Sequence, residues 1–262
     1  MPPIVGPLSG KLAFVSGGSS DIGRAICLRL ARDGAQLAFS YFSDHEGAAA
    51  TRQALDELGA PPVSVLRVNF GDEASSAELI QRAQTELPRV DLLVHNVASG
   101  VFRSATELSS RHLKWTFDVN ARSLVTLVGG FVAERPDAPP LLPAGSAIVA
   151  ISSLGAVRAI PQYAALGASK AALESIARHL ALELGPHGIR VNVVSPGIVQ
   201  TRALAHLPHR DQLLDIAARR TPLARLCTPN DVAEVVAFLG SPAAAMIHGQ
   251  TLHVDGGYSI VG

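Results

Sequence analysis

Residues 11–34 read KLAFVSGGSSDIGRAICLRLARDG. KLAFVSG (11–17) is a continuous apolar run closed by glycine, which predicts a buried strand. The turn GGSSDIG (17–23) follows at once, and RAICLRLARDG then carries apolar residues at helical spacing until Gly34 stops it. A strand that passes through such a turn into a helix leaves backbone N–H groups open at the helix start. Glycine permits the tight turn and lets a pyrophosphate come close to those groups. The spacing is Gly-x5-Gly, so the Gly-x-Gly-x-x-Gly pattern is not met, and an ordinary strand–helix turn is the plain alternative.

The same rhythm continues along the chain. Apolar runs at 35–41, 63–69, 90–96, 147–152, 189–195 and 250–256 predict six more strands. Between them, helices are expected at 46–58, 73–87, 108–132, 166–184 and 230–239, with the 108–132 segment as one long helix. ERPDAPPLLPAGS reads as a Pro-rich surface loop and not a domain boundary, because strand and helix resume behind it. Apolar strands alternating with helices predict an α/β fold: a single-domain, doubly wound (Rossmann) seven-stranded parallel sheet with helices on both faces. Residues 1–10 are expected to form a flexible lead, 11–262 the dinucleotide-binding domain, and 201–226 an irregular, partly helical lid over substrate.

Composition narrows the class. The 262 residues carry 22 basic and 22 acidic side chains, which removes the electrostatic case for nucleic acid or an anionic membrane as partner. Charged residues are only 17%, which suits an oligomer that buries part of its surface. Cys27 and Cys227 have no metal-like spacing and fit a reduced, cytoplasmic protein. No signal peptide and no membrane-length apolar run are seen. The nine histidines, His95, His112, His179 and His187 among them, show no metal spacing and read as structural or surface groups.

The end of the second strand reports on the cofactor. An acid there would bind the ribose 2′-hydroxyl of NAD and repel a 2′-phosphate. Here the strand ends Phe39-Ser40-Tyr41-Phe42-Ser43, with no acid until Asp44. That points to NADPH, with Ser40 and Ser43 as phosphate donors and Arg24 as a substitute cation, and with NADH as the alternative.

SSLGAVRAIPQYAALGASK (152–170) pairs Tyr163 with Lys170, seven positions apart, at the opening of a helix. A tyrosine hydroxyl can stabilise or protonate an oxyanion, and an ammonium nearby lowers the cost of that charge. The bland reading is a half-buried tyrosine and a solvated lysine.

Taken together, the chain resembles the short-chain dehydrogenase/reductase family. The resemblance rests on GGSSDIG (17–23), HNVASG (95–100), Asn120, ISS (151–153), the Tyr/Lys pair, VNVVSPGIVQT (191–201) and VDGG (254–257). The usual family spacing is Tyr-x3-Lys, and four before Lys170 stands Leu166, which cannot act as an acid. Tyr-x6-Lys is similar to the NADPH-dependent enoyl-acyl-carrier-protein reductases. So are NVASGVFRS (96–104), LAHLPHRDQLL (204–214), RTPLARL (220–226) and MIHGQTLHVDGG (246–257). Asp21 stands where the family often has glycine, and the basic residue expected near Ser43 is missing.

The resemblance implies a catalytic set of Tyr163, Lys170 and Ser153, with no metal. It implies cofactor contacts from Gly17, Ser19, Ser20, Ile22, Gly23, Ser40, Asn69, Asn96, Ala98, Lys170, Pro196, Gly197, Val199 and Thr201. Ser152 and Ser153 have the alternative of satisfying a strand end, and Asn120 that of shaping its helix. The substrate implied is an enoyl thioester on acyl carrier protein or coenzyme A. Arg202, Arg210, Arg219 and Arg220 are candidates to meet its phosphates, against a solvated helix face. A homotetramer is expected from the resemblance. A ketoreductase and a non-catalytic cofactor-binding regulator are the competing functions.

Overall fold

The computed structural model describes residues 5–201 and 210–261. The predicted sheet is present. Seven parallel strands run in the order β3-β2-β1-β4-β5-β6-β7: β1 Leu12–Ser16, β2 Gln36–Tyr41, β3 Ser64–Arg67, β4 Leu92–His95, β5 Ala147–Ile151, β6 Arg190–Pro196 and β7 Thr251–Val254. Successive residues of β1 point to opposite faces, and both faces are covered. Ala13 and Val15 join one core with α1 (Asp21–Arg32), α2 (His45–Glu57) and α8 (Pro229–Gly240). Leu12 and Phe14 join the other with α3 (Glu73–Glu86), α5 (Ser123–Val132) and α6 (Ala164–Leu184). Two-sided burial explains why the strands read as unbroken apolar runs. The connections reverse direction between β1 and β4, and a crevice opens there at the carboxyl ends of the strands.

Several boundaries differ from expectation. The lead is anchored from Gly6 onward: Leu8 is 1% exposed and its N–H donates to Asp33 O at 2.9 Å. β3 is shorter than 63–69, because Asn69 turns the chain by accepting from Gly71 N. The 108–132 helix begins as α4 (Ser110–Phe117), passes through a π turn at Asp118–Arg122, and continues as α5. Such a turn adds one residue per turn and re-aims side chains. Here it surrounds the fully buried Asn120, whose amide needs partners inside the protein. The Pro-rich loop is fastened by Arg135, which donates to the carbonyls of Gln84, Leu87, Pro88 and Pro139. Of the expected lid, 202–209 lies outside the described residues, and Arg210–Arg220 forms a helix, α7.

Phe14 of β1 and Phe131 of α5 meet edge to face at 5.4 Å, both fully buried. Phe131→Ala should therefore cost about 3–5 kcal/mol, read as a lower urea midpoint with the slope unchanged.

Candidate active site

The glycine-rich turn is packed too tightly for side chains. A Cβ on Gly23 would lie 2.0 Å from Gly17 O, and one on Gly18 would lie 2.7 Å from Phe39 Cβ. Gly17 itself has φ +71°. Ser20 is the N-cap of α1 and makes no side-chain cap bond, while Ser19 is buried beside it. This cradle, with open N–H groups at the start of α1, fits a pyrophosphate. Asp21 has φ +43°, in the left-handed region that glycine favours and aspartate tolerates, so its departure from glycine leaves the turn intact. Asn96 braces the turn from β4: its Nδ2 donates to Gly17 O at 3.0 Å and Ser16 O at 3.3 Å. Its amide nitrogen thus holds the turn in shape.

At the end of β2 the structure separates the candidates. Ser40 is fully buried and its Oγ has no hydrogen-bond partner, so it is not open to a solvent-facing phosphate. Asp44 is used as the N-cap of α2, accepting from Gly47 N at 3.0 Å. A cation does stand here. Arg67 of β3 pairs in register with Tyr41, and its Nε donates to Phe42 O at 3.2 Å. Sequence reasoning missed it because only the β2–β3 register brings it to this loop. Asn69, one turn on, uses its side chain to hold Gly71 N.

The catalytic candidates converge at the end of β5. Tyr163 caps α6 with non-helical φ −106° and ψ 9°. Gln162 before it has φ +59°, and its carbonyl accepts from Arg103 N at 2.9 Å, which fixes the approach of the ring. The Tyr163 hydroxyl donates to Ser153 Oγ at 3.1 Å, and Ser153 Oγ also accepts from Gly155 N. Gly155 leaves room for the ring: a Cβ there would fall 2.4 Å from Tyr163 Cε1. Lys170 is 3% exposed and donates from Nζ to Ile151 O at 2.7 Å, two residues before Ser153. Burial pushes the Lys170 ammonium down to about 8, against the opposing charge of Glu174. Burial also raises the Tyr163 hydroxyl, partly offset by the Ser153 bond, so Tyr163 remains a proton donor through neutral pH. Leu166, four before Lys170, is buried and packs where a Cβ on Gly100 would lie.

The Tyr163 hydroxyl on Ser153 and the buried Lys170 ammonium stand beyond the carboxyl end of β5, at the same end of the sheet as the glycine turn after β1. A family model described as enoyl-(acyl carrier protein) reductase matches residues 17–259. The chain belongs to this family. Among its relatives is 1-cyclohexenylcarbonyl-CoA reductase of Streptomyces collinus, 35% identical, covering 96% of this chain and 88% of that protein. An enoyl-[acyl-carrier-protein] reductase [NADH] of Escherichia coli is 33% identical over 98% of this chain and 97% of its own. A crystal structure of the Aquifex aeolicus enoyl-[acyl-carrier-protein] reductase (NADH) superposes with TM-score 0.87 at 29% identity, covering 98% and 100%. A Burkholderia cenocepacia short-chain dehydrogenase in complex with NADP gives 0.84 at 33%, covering 96% and 99%. The protein is thus an oxidoreductase of the short-chain dehydrogenase/reductase type, close to enoyl reductases, and uses a nicotinamide cofactor.

In this enoyl reductase family member, Asn120 joins the site from the π turn. Its Oδ1 accepts from Ser99 N at 2.8 Å and its Nδ2 donates to Ser169 Oγ at 2.9 Å. His95 is not a surface group: it is fully buried at the end of β4, 2.7 Å from Ser123 Oγ. Burial and the Lys170 charge push its ring down to about 3, so it is neutral. Pro196 and Gly197 end β6, where Gly197 N donates to Val254 O and a Cβ would crowd Asp255. Val199 is buried against Cys227, and Thr201 is the last residue before the undescribed segment. Ile22 is half-buried in α1, and Ala98 is exposed after β4. Of the four arginines, Arg202 lies outside the described residues and the side chain of Arg210 is not described. Arg219 pairs with Asp215, and Arg220 lies over the Tyr258 ring. No helix among the described residues is long and apolar enough to cross a membrane.

Gly155→Ala should displace the Tyr163 ring while leaving the cradle at β1 untouched. Turnover should fall by about 100-fold, with cofactor affinity, read by fluorescence titration, unchanged.

Proposed function

We propose that the protein reduces the carbon–carbon double bond of a 2-enoyl thioester, with NADPH as the preferred hydride donor. The observation that carries this reading is the Tyr163 hydroxyl held on Ser153 beside buried Lys170, with Leu166 filling the position of the usual family tyrosine. Bound nicotinamide would supply the hydride. Addition at the β-carbon leaves negative charge on the thioester oxygen, as an enolate, and a proton taken up at the α-carbon completes the reduction. Tyr163 donates a hydrogen bond to that oxygen, where the charge develops. Lys170 would hold the nicotinamide ribose and sets a positive charge behind Tyr163. Without substrate Ser153 accepts the Tyr163 proton; once that proton turns to the substrate oxygen, the Ser153 hydroxyl donates to the phenol oxygen and keeps the ring in place.

NADPH is favoured by Arg67 at the ribose end of β2 and by the use of Asp44 as a helix cap. The E. coli and A. aeolicus relatives carry NADH in their names, and the B. cenocepacia structure holds NADP, so both cofactors belong in the test. The thioester is taken from coenzyme A or acyl carrier protein; the S. collinus relative, named for a CoA ester, supports the former. A cytoplasmic homotetramer fits this role.

The test is loss of reduced-nicotinamide absorbance with NADPH and NADH, each against a 2-enoyl and a 3-keto thioester. Oxidation is expected on the enoyl substrate, faster with NADPH. Oxidation on the keto substrate alone would make the protein a ketoreductase. Tyr163→Phe should lose at least about 100-fold in turnover while binding cofactor normally. Full turnover in that variant would remove Tyr163 from the mechanism.

A further inference from the structure

The two adjacent serines at the end of β5 part company. Ser153 bonds Tyr163. Ser152, 4% exposed, instead donates to Glu174 Oε1 at 2.5 Å, and Glu174 is 6% exposed. Glu174 lies four residues after Lys170 on α6, one turn along the same face. Two consecutive residues of one chain segment therefore hold two consecutive turns of α6: Ile151 O takes the Lys170 ammonium, and Ser152 Oγ takes the Glu174 carboxylate.

We propose that Ser152 and Glu174 form a positioning pair that fixes a negative charge beside Lys170, keeping its ammonium charged and aimed at the reacting centre. The inference rests on the placement of Lys170 in that centre. A carboxylate buried this deeply is costly unless hydrogen-bonded and near a cation. Ser152 supplies the bond, and Lys170 is the cation. The carboxylate acts on Lys170 by its field, which water screens little at this depth.

The other groups around Lys170 leave this task to Glu174. From its own helix comes Glu174, and from the cap before it Tyr163. From β4 comes His95, which is neutral. From β5 come Ile151 O, Ser152 and Ser153, which carry no charge. Tyr163 is protonated, its hydroxyl raised by burial. Asp118, on the π turn packed against α6, is taken up by Lys114 and Arg122, which leaves Glu174 as the carboxylate whose charge acts on the ammonium. Burial works to remove the proton from Lys170, and Glu174 works to retain it. With Glu174 neutralised, Lys170 should lose its proton at lower pH.

The sequence makes this directly measurable, because Lys11, Lys114 and Lys170 are its three lysines. Protein labelled with lysine-ε-13C gives three side-chain signals, and Lys170→Arg identifies the one that belongs to Lys170. Its titration midpoint would be followed in wild type, Glu174→Gln and Ser152→Ala. Glu174→Gln keeps the shape and an acceptor for Ser152 but removes the charge. The midpoint should fall by at least about half a pH unit in Glu174→Gln, and move the same way in Ser152→Ala. The alkaline limb of turnover should follow it. Unmoved Lys11 and Lys114 signals report an intact fold, and if Glu174→Gln does not fold, Ser152→Ala decides. An equal or higher midpoint in the folded variants overturns the proposal. The titration needs no substrate, so it stands apart from the enoyl-reductase reading: absent turnover on enoyl thioesters would sink that reading and leave this measurement unaffected.

Discussion

A charged ammonium buried under a parallel sheet is the constraint around which this site is built. Lys170 is held by one backbone carbonyl, Ile151 O, at the last residue of β5. An ammonium in that setting keeps its charge only if the surroundings supply acceptors and a counter-charge. The end of β5 must therefore stay in register with α6. That register is maintained by five paired positions between β5 and β6, and by Leu173, Ala177 and Ala181 of α6 in the core beneath. Core packing and site electrostatics are here the same problem.

The glycine cradle and the catalytic end are linked through β4. Asn96 ties β4 to the turn after β1, while His95, one residue earlier, faces the opposite side towards α5 and Lys170. Alternation along a strand sends one side chain to the glycine turn and its neighbour towards Lys170. The π turn at Asp118–Arg122 completes the same face. It carries Asn120 into bonds with both the post-β4 loop and Ser169 of α6.

The sheet was legible in the sequence because two-sided burial writes itself as unbroken apolar runs. The glycine turn was legible because a Cβ at Gly18 or Gly23 has no room. What stayed hidden depends on register and on local backbone choice. Arg67 reaches the loop after β2 through the pairing of β3 with Tyr41, which no local pattern reveals. Ser40 looked available but sits on the buried side of β2. The π turn left no mark, since α4 and α5 show ordinary helical periodicity on either side of it. His95 read as one scattered histidine among nine until burial placed it against Ser123.

The Tyr-x6-Lys spacing also gains a physical meaning from the structure. On a continuous helix, residues three or four apart share a face, so Tyr-x3-Lys needs the helix alone to align its pair. Tyr163 is not inside the helix; it caps it, with non-helical dihedrals and a left-handed residue before it. The ring's position is set by the Gln162 peptide bonded to Arg103, and by the gap that Gly155 leaves. Lysine and tyrosine are thus positioned by different devices, the one by α6 packing and the other by the loop that enters it. Moving the tyrosine three residues closer would place it where Leu166 packs against Gly100, inside the apolar wall of the site. Leu166 and Gly100 thus pack as one wall of the site. They close the position that a tyrosine on the helix would take, and Tyr163 enters the site from outside the first turn.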